Sequence, residues 1–181
     1  MKTKCLFFTF LLILSLSANS QDIKKKIRYN YSINSGYLFL GSGDQSTINI
    51  ENEFNFEFLK VLSSSFGANL GSGNYGLYHN SSYVQGNFNI FVSPFGNIKK
   101  NRFKIGYGIS LMKVTDTGIK PWDTYQTGKE YDQRASFGYN LILQHDYFIN
   151  SKYFIGLKGF TQIYNNKDYS TGVNLRLGLV L

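Results

Sequence analysis

Between residues 48 and 58, apolar and polar side chains alternate along the chain. Only Asn52 interrupts the apolar set, and three glutamates recur within the polar set. Successive side chains of a β-strand point to opposite faces, whereas a helix repeats every 3.6 residues, so this segment is predicted to be a strand with one apolar and one polar face. The two sets are Ile48, Ile50, Phe54, Phe56 and Phe58 against Asn49, Glu51, Glu53, Asn55 and Glu57.

The same period of two recurs in eight segments, at about 28–39, 48–58, 64–72, 83–93, 102–113, 134–147, 153–163 and 171–181. Most have the length of a tilted membrane strand, roughly 9–11 residues. The connections alternate: 59–63, 94–101 and 148–152 are short, whereas 40–47, 73–82, 114–133 and 164–170 are longer and more polar. An even strand count with alternating turns and loops predicts an all-β, eight-stranded antiparallel up-and-down transmembrane β-barrel.

Alternation alone does not say which face meets solvent, because a soluble barrel buries the apolar face and a membrane barrel turns it to lipid. The apolar faces are uniformly large, and the polar faces carry many of the 18 glycines, as a crowded eight-stranded interior requires. Tyrosines also gather near strand ends, as in an interfacial girdle: Tyr29, Tyr37, Tyr83, Tyr147, Tyr153 and Tyr164. These features favour lipid outside and a polar lumen.

The N-terminus has the pattern of a Sec-type signal peptide. A short basic region, residues 1–4, precedes an apolar stretch over 5–17 and the small residues Ala18 and Ser20. We expect a signal peptide at 1–20 and a barrel domain at 21–181. Cleavage would remove Cys5, the only cysteine, so thiol chemistry and disulfides are not expected in the mature chain.

The C-terminal stretch 173–181, Val-Asn-Leu-Arg-Leu-Gly-Leu-Val-Leu, is apolar at every second residue to the end. With the signal peptide and the eight segments, it resembles the small outer-membrane β-barrel proteins of OmpA/OmpX type; Leu181 stands where that family usually ends in Phe. The resemblance implies a monomer in a Gram-negative outer membrane, surrounded by the lipid bilayer and lipopolysaccharide and inserted by the barrel-assembly machinery.

Charged residues on the polar faces would lie inside a narrow lumen, where they must pair or stay hydrated. We interpret them as a structural ion-pair plug; a selectivity filter is the alternative, although eight strands leave little bore. The residues are Glu51, Glu53, Glu57, Lys104, Arg134, Lys158 and Arg176.

We expect no catalytic, cofactor or metal site. His79 and Ser81 faintly resemble the paired residues of barrel lipid A deacylases, but they fall in a polar loop without an acid nearby in sequence. Export and the lack of aromatic interleaving in the basic runs argue against a nucleic-acid partner.

The longest connection, 114–133, carries the candidate external-loop contacts Trp122, Tyr125 and Tyr131. A structural or envelope- and surface-interaction role without catalysis is therefore predicted. Two alternatives stay open: a barrel enzyme acting on lipid A, and a secreted soluble β-barrel that binds an apolar ligand.

Overall fold

A computed structural model describes residues 27–41, 45–75, 79–95, 97–98, 100–118 and 130–181. The expected signal peptide, residues 1–20, lies outside these ranges. The described chain forms nine strands: β1 Arg28–Leu40, β2 Gln45–Glu57, β3 Leu62–Tyr75, β4 His79–Val92, β5 Asn97–Ile98, β6 Asn101–Gly118, β7 Glu130–Phe148, β8 Tyr153–Tyr164 and β9 Tyr169–Val180. None of the described residues belongs to a helix long and apolar enough to cross a membrane.

Eight of the strands close into an antiparallel barrel, as predicted. Each pairs with its neighbours along the chain, β4 pairs with β6, and β9 pairs back with β1. The two-residue β5, which the sequence pattern did not predict, pairs only with the start of β6 at a turn. Strands β1 and β9 begin and end at one end of the barrel, called here the terminal end; the opposite end is the loop end.

The register fixes how strongly the strands tilt. Stepping through paired residues from Asn30 leads around the barrel and back to β1 at Leu40, ten residues further on, by way of Asn55, Ser65, Asn89, Gly108, Asn140, Gln162 and Ser170. Such a shear accompanies strands inclined by about 35–45° to the barrel axis. Residues far apart in sequence therefore meet at one height inside.

The strands run further towards the loop end than the pattern indicated. The connections predicted at 40–47 and 73–82 are reduced to 41–44 and 76–78, so they are no longer than the turns 58–61 and 149–152, and the predicted alternation in length is wrong there. Strands β6 and β7 extend as well. They stay paired up to Gly118 and Glu130, so the connection predicted at 114–133 is shorter at both ends. Thr115 and Thr117 extend the ladder, because β-branched residues favour strands.

The two faces of the barrel are sorted as predicted, with apolar side chains outside and polar ones inside. Leu141, Leu143 and Val173 are more than half exposed, whereas Asn34, Asn140 and Asn174 are buried. Of the tyrosines predicted for the girdle, Tyr29, Tyr37, Tyr147 and Tyr153 are exposed on the outer surface. The prediction is wrong for Tyr83 and Tyr164, which are only 2% and 3% exposed because their positions in β4 and β8 point inward.

The lumen is not polar throughout. Towards the loop end, most inward positions carry a buried apolar layer that the sequence pattern did not predict; Phe91 of the same cluster lies nearer the terminal end, its ring centre 5.7 Å from Lys104 Nζ. The layer includes Leu38, Leu40, Tyr83, Met112 and Val114, which meet where β4 pairs with β6 and at the upper part of β1. Buried polar side chains lie among them, since Gln85 Nε2 donates to the Tyr164 hydroxyl, which donates to Gln162 Oε1, both at 2.9 Å. Close packing of these side chains leaves little room for water.

Candidate functional site

Eight charged side chains from five strands converge inside the barrel in the half nearer the terminal end. Strand β2 supplies three of them at every second or fourth residue, and β6, β7, β8 and β9 supply the others. They are Glu51, Glu53 and Glu57 (β2), Arg102 and Lys104 (β6), Asp146 (β7), Lys158 (β8) and Arg176 (β9). We call this set the lumen network.

Lys158 lies between two glutamates of β2. Its Nζ is 2.8 Å from both carboxylate oxygens of Glu51 and 2.8 Å from Oε2 of Glu53. Asn34 Nδ2 donates to the same two carboxylates, at 2.9 Å to Glu51 and 3.0 Å to Glu53. The like charges of Glu51 and Glu53 are thus compensated by the ammonium of Lys158 on β8 and by the amide of Asn34 on the neighbouring strand β1.

Arg176 joins the acid of β2 to the acid of β7. Its Nη1 donates to Glu53 Oε2 at 2.7 Å, and its Nε donates to Asp146 Oδ1 at 3.1 Å. All three side chains are at most 2% exposed. Gln144 Nε2 donates to the second oxygen of Asp146 at 2.7 Å. The guanidinium thus spans two carboxylates that water does not reach.

The network continues towards the terminal end. Lys104 Nζ lies 3.7 Å from Asp146 Oδ2 and 3.9 Å from Glu57 Oε1, and Arg102 pairs with the same Glu57 oxygen. Asn30 Nδ2 donates to Glu57 at 2.7 Å. The guanidinium carbon of Arg102 is 5.0 Å from the centre of the Phe148 ring, so Arg102 is held on two sides.

Acids and bases therefore alternate without a break, from Glu51 through Lys158, Glu53, Arg176, Asp146, Lys104 and Glu57 to Arg102. The four carboxylates carry as much formal charge as the four cations. Charges in a desolvated interior are tolerated only when paired and hydrogen-bonded in this way. The arrangement links five strands across the lumen through ion pairs and hydrogen bonds.

Six of the seven charged residues singled out in the sequence meet in this network, and Arg134 does not. Arg134 lies at the loop end, and its side chain is 44% exposed. Its Nη2 is 3.5 Å from Asp116 Oδ2, and its Nε is 3.6 Å from Asp168 Oδ2. Two members of the network, Arg102 and Asp146, were not among the residues that the sequence predicted for the lumen. Both lie an even number of residues from other inward-facing positions of their strands, and this spacing would have predicted that they face the lumen.

Ser81, weighed above for lipid A chemistry, turns inward and is 4% exposed. Its hydroxyl donates to Asp116 of β6, so an acid remote in sequence does contact it. The Ser81 hydroxyl faces the lumen mouth, away from the outer apolar surface. His79 lies two residues before it in β4, and its side chain is outside the described part.

Trp122 and Tyr125 lie outside the described residues, and Tyr131 lies in β7 with an undescribed side chain. In the part of the chain that the structure describes, no three metal-ligating side chains come together. Above the network, Asn87, Asn89 and Asn140 line a small cavity with Glu51 and Lys158, with room for about one water molecule.

No protein-family model and no curated protein matches the sequence. Solved structures do match in fold. A major outer membrane protein from Thermus thermophilus superposes with a TM-score of 0.70 at 8% identity, covering 87% of this chain and 100% of that one. Neisserial surface protein A gives 0.64 at 8% identity, covering 86% and 99%.

Ail, the attachment invasion locus protein of Yersinia pestis, gives a TM-score of 0.56 at 7% identity, covering 86% of this chain and 97% of that one. At such identities the likeness concerns the fold. Strand number, closure and the apolar outer surface agree with it, so the chain has the fold of the small eight-stranded outer-membrane β-barrels of OmpA/OmpX type.

Proposed function

We propose that this protein is an integral outer-membrane barrel with a sealed lumen and a structural or surface-interaction role. The observation that carries the proposal is the inverted distribution of side chains: large apolar residues outside, paired charges inside. In water, the outer surface would expose a continuous apolar patch far larger than soluble monomers show. In a bilayer, the same surface is solvated by acyl chains.

A sealed lumen is supported at two levels. The lumen network occupies the half nearer the terminal end, and the apolar layer with Leu38 and Met112 occupies the half nearer the loops. An eight-stranded barrel is just wide enough for side chains to fill its interior. A plug therefore fits this packing better than a selectivity filter.

Membrane insertion is tested by fractionation and by heat-modifiability. The mature protein should sediment with outer membranes, require detergent for extraction, and migrate differently on a gel before and after boiling. Recovery in the soluble periplasm without detergent would contradict the proposal and favour the secreted barrel that binds an apolar ligand.

Sealing is tested by planar-bilayer recording of the purified barrel. We expect only rare and small conductance steps, because no continuous water path remains through the charged and apolar layers. Large and stable open channels would contradict the plug and support a selectivity filter.

A surface-interaction role would use the connections at the loop end. The segment 119–129 joins the ends of β6 and β7, and residues Trp122 and Tyr125 are its candidate contacts. Deleting 119–128 should leave a folded, heat-modifiable barrel, since no strand is lost. Protease added to intact cells should cut this segment in the wild-type protein; cutting only from the periplasmic side would mean the opposite orientation.

The lipid A enzyme remains a rival that one assay decides. Purified barrel incubated with lipid A should release no fatty acid. Turnover that vanishes in Ser81→Ala would overturn the non-catalytic proposal.

A further inference from the structure

Below the lumen network, the barrel opens at its terminal end into a vestibule, a cavity of about 400 Å³. Three cationic side chains line it, Arg28, Lys100 and Arg102, and none of the described residues in its wall is acidic. Phe148, Ser151 and Val180 complete the wall. With the orientation proposed above, on which this inference rests, the vestibule faces the periplasm.

The charge of the vestibule is not balanced by the protein around it. Arg102 is paired with Glu57, and the lumen network as a whole is neutral. Arg28 and Lys100 are exposed and form no ion pair with any described residue. Arg28 lies near enough to Arg102 for the two cations to repel each other. The side chains that line the vestibule therefore carry two positive charges in excess of the acids paired with them.

The wall is a firm part of the barrel. Phe148 N donates to Lys100 O at 2.8 Å, and Val180 N donates to Lys152 O at 2.7 Å, so the strand ends are tied together. The turn between β7 and β8 is closed by Asn150, whose side-chain oxygen accepts from the amides of Lys152 and Tyr153 at 2.8 Å each. The position of Arg102 is set by Glu57 and the Phe148 ring.

We propose that this vestibule binds a phosphate group. Guanidinium and ammonium groups that converge on a concave surface offer several charge-assisted hydrogen bonds to a compact oxyanion. The phosphate can belong to the headgroup of an anionic phospholipid in the facing leaflet or to a soluble phosphate compound. Because the lumen network closes the inner end of the vestibule, the anion is held there and does not pass through.

The test uses the full mature barrel in a zwitterionic detergent, with folding verified by heat-modifiability. Inorganic pyrophosphate is titrated into the protein by calorimetry. Wild type should bind it, and the double variant Arg28→Gln/Lys100→Gln should bind about tenfold more weakly or worse, as expected when hydrogen bonds to a charged group are lost. Lys152→Gln, outside the vestibule lining, is the matched control and should bind as wild type does.

A second arm distinguishes the source of the phosphate. Short-chain phosphatidylglycerol, added against a short-chain phosphatidylcholine control, should compete with pyrophosphate if the vestibule takes lipid headgroups. Without such competition, a soluble phosphate compound is the ligand. Equal affinity in wild type and in the double variant, or no binding by a heat-modifiable barrel, would overturn the inference. Failure of the barrel to be heat-modifiable or membrane-bound would instead contradict the proposed function.

Discussion

Two arginines at inward positions of the barrel each contact two carboxylates but in different surroundings. Arg176 is fully buried and reaches Glu53 at 2.7 Å and Asp146 at 3.1 Å. Arg134 at the loop end is 44% exposed and lies 3.5 Å and 3.6 Å from Asp116 and Asp168. Both stand at inward positions of antiparallel strands. Arg176 is thus shielded from solvent and in close contact with its carboxylates, whereas solvent reaches Arg134 and its contacts are longer.

The two parts of the lumen also differ in the kind of side chain that fills them. Nearer the terminal end, charges pair with one another and with amides such as Asn34. Nearer the loop end, Leu38 and Met112 pack as in a soluble core, and the ion pairs beyond them are exposed to solvent. The apolar layer thus lies between a buried ion-pair network and a mouth that is exposed to solvent.

The largest effect is expected for Arg176→Ala. The substitution leaves the carboxylates of Glu53 and Asp146 buried with less compensation, which costs about 3–5 kcal/mol for a buried pair. The free energy of unfolding can be measured in urea from the heat-modifiable gel shift. Arg134→Ala is the matched control and should change it by less than about 1 kcal/mol. Equal effects would mean that the interior network is hydrated.

The apolar layer is tested by Leu38→Ala. Leu38 is fully buried, so the substitution removes apolar contacts and leaves a cavity, at a cost of about 2–5 kcal/mol. Leu141→Ala on the outer surface should cost less, because lipid or detergent fills the space. The same urea assay measures both. A smaller loss for Leu38→Ala than for Leu141→Ala would contradict a packed layer inside the barrel.

A smaller effect is expected where the interior is crowded by backbone and rings. A Cβ added at Gly178 would overlap the Phe154 ring, whereas a Cβ at Gly86, on the outer surface, meets nothing within 4 Å. Gly178→Ala should therefore destabilise the barrel by about 1–3 kcal/mol. Gly86→Ala should be neutral or slightly stabilising, since glycine weakens strand interiors. Similar values for the two would mean that the interior adapts freely.

The sequence predicted much of this architecture because the face to which a side chain of a strand points depends only on its position within that strand. Every second residue of a strand faces the same side, so the inward position of Glu53, Lys158 and Arg176 could be read without a structure. Strand number followed from the eight repeated segments, whereas the predicted lengths of the connections did not hold, because the strands extend into most of the predicted loops.

Height within the lumen could not be read in the same way. Glu53 and Arg176 are 123 residues apart and meet only because the register advances ten residues around the barrel. Arg134 faces inward but lies at the loop end, too far along the barrel axis to reach the network. Asp146 and Arg102 lie at the level of Glu57 and Lys104 and join it. Tyr83 and Tyr164 lie near strand ends, which predicted a place in the outer girdle, but both occupy inward positions of their strands and are buried.

The central claim is that the apolar outer surface contacts lipid, and fluorophores on single introduced cysteines test it most directly. In proteoliposomes, a label at Leu141→Cys should be quenched by nitroxides in the acyl chains and protected from iodide, because Leu141 is 59% exposed on the outer surface. A label at Ser151→Cys, in the exposed turn after β7, should be quenched by iodide and protected from the nitroxides. Iodide quenching at Leu141 equal to that at Ser151 in a folded barrel would contradict the account.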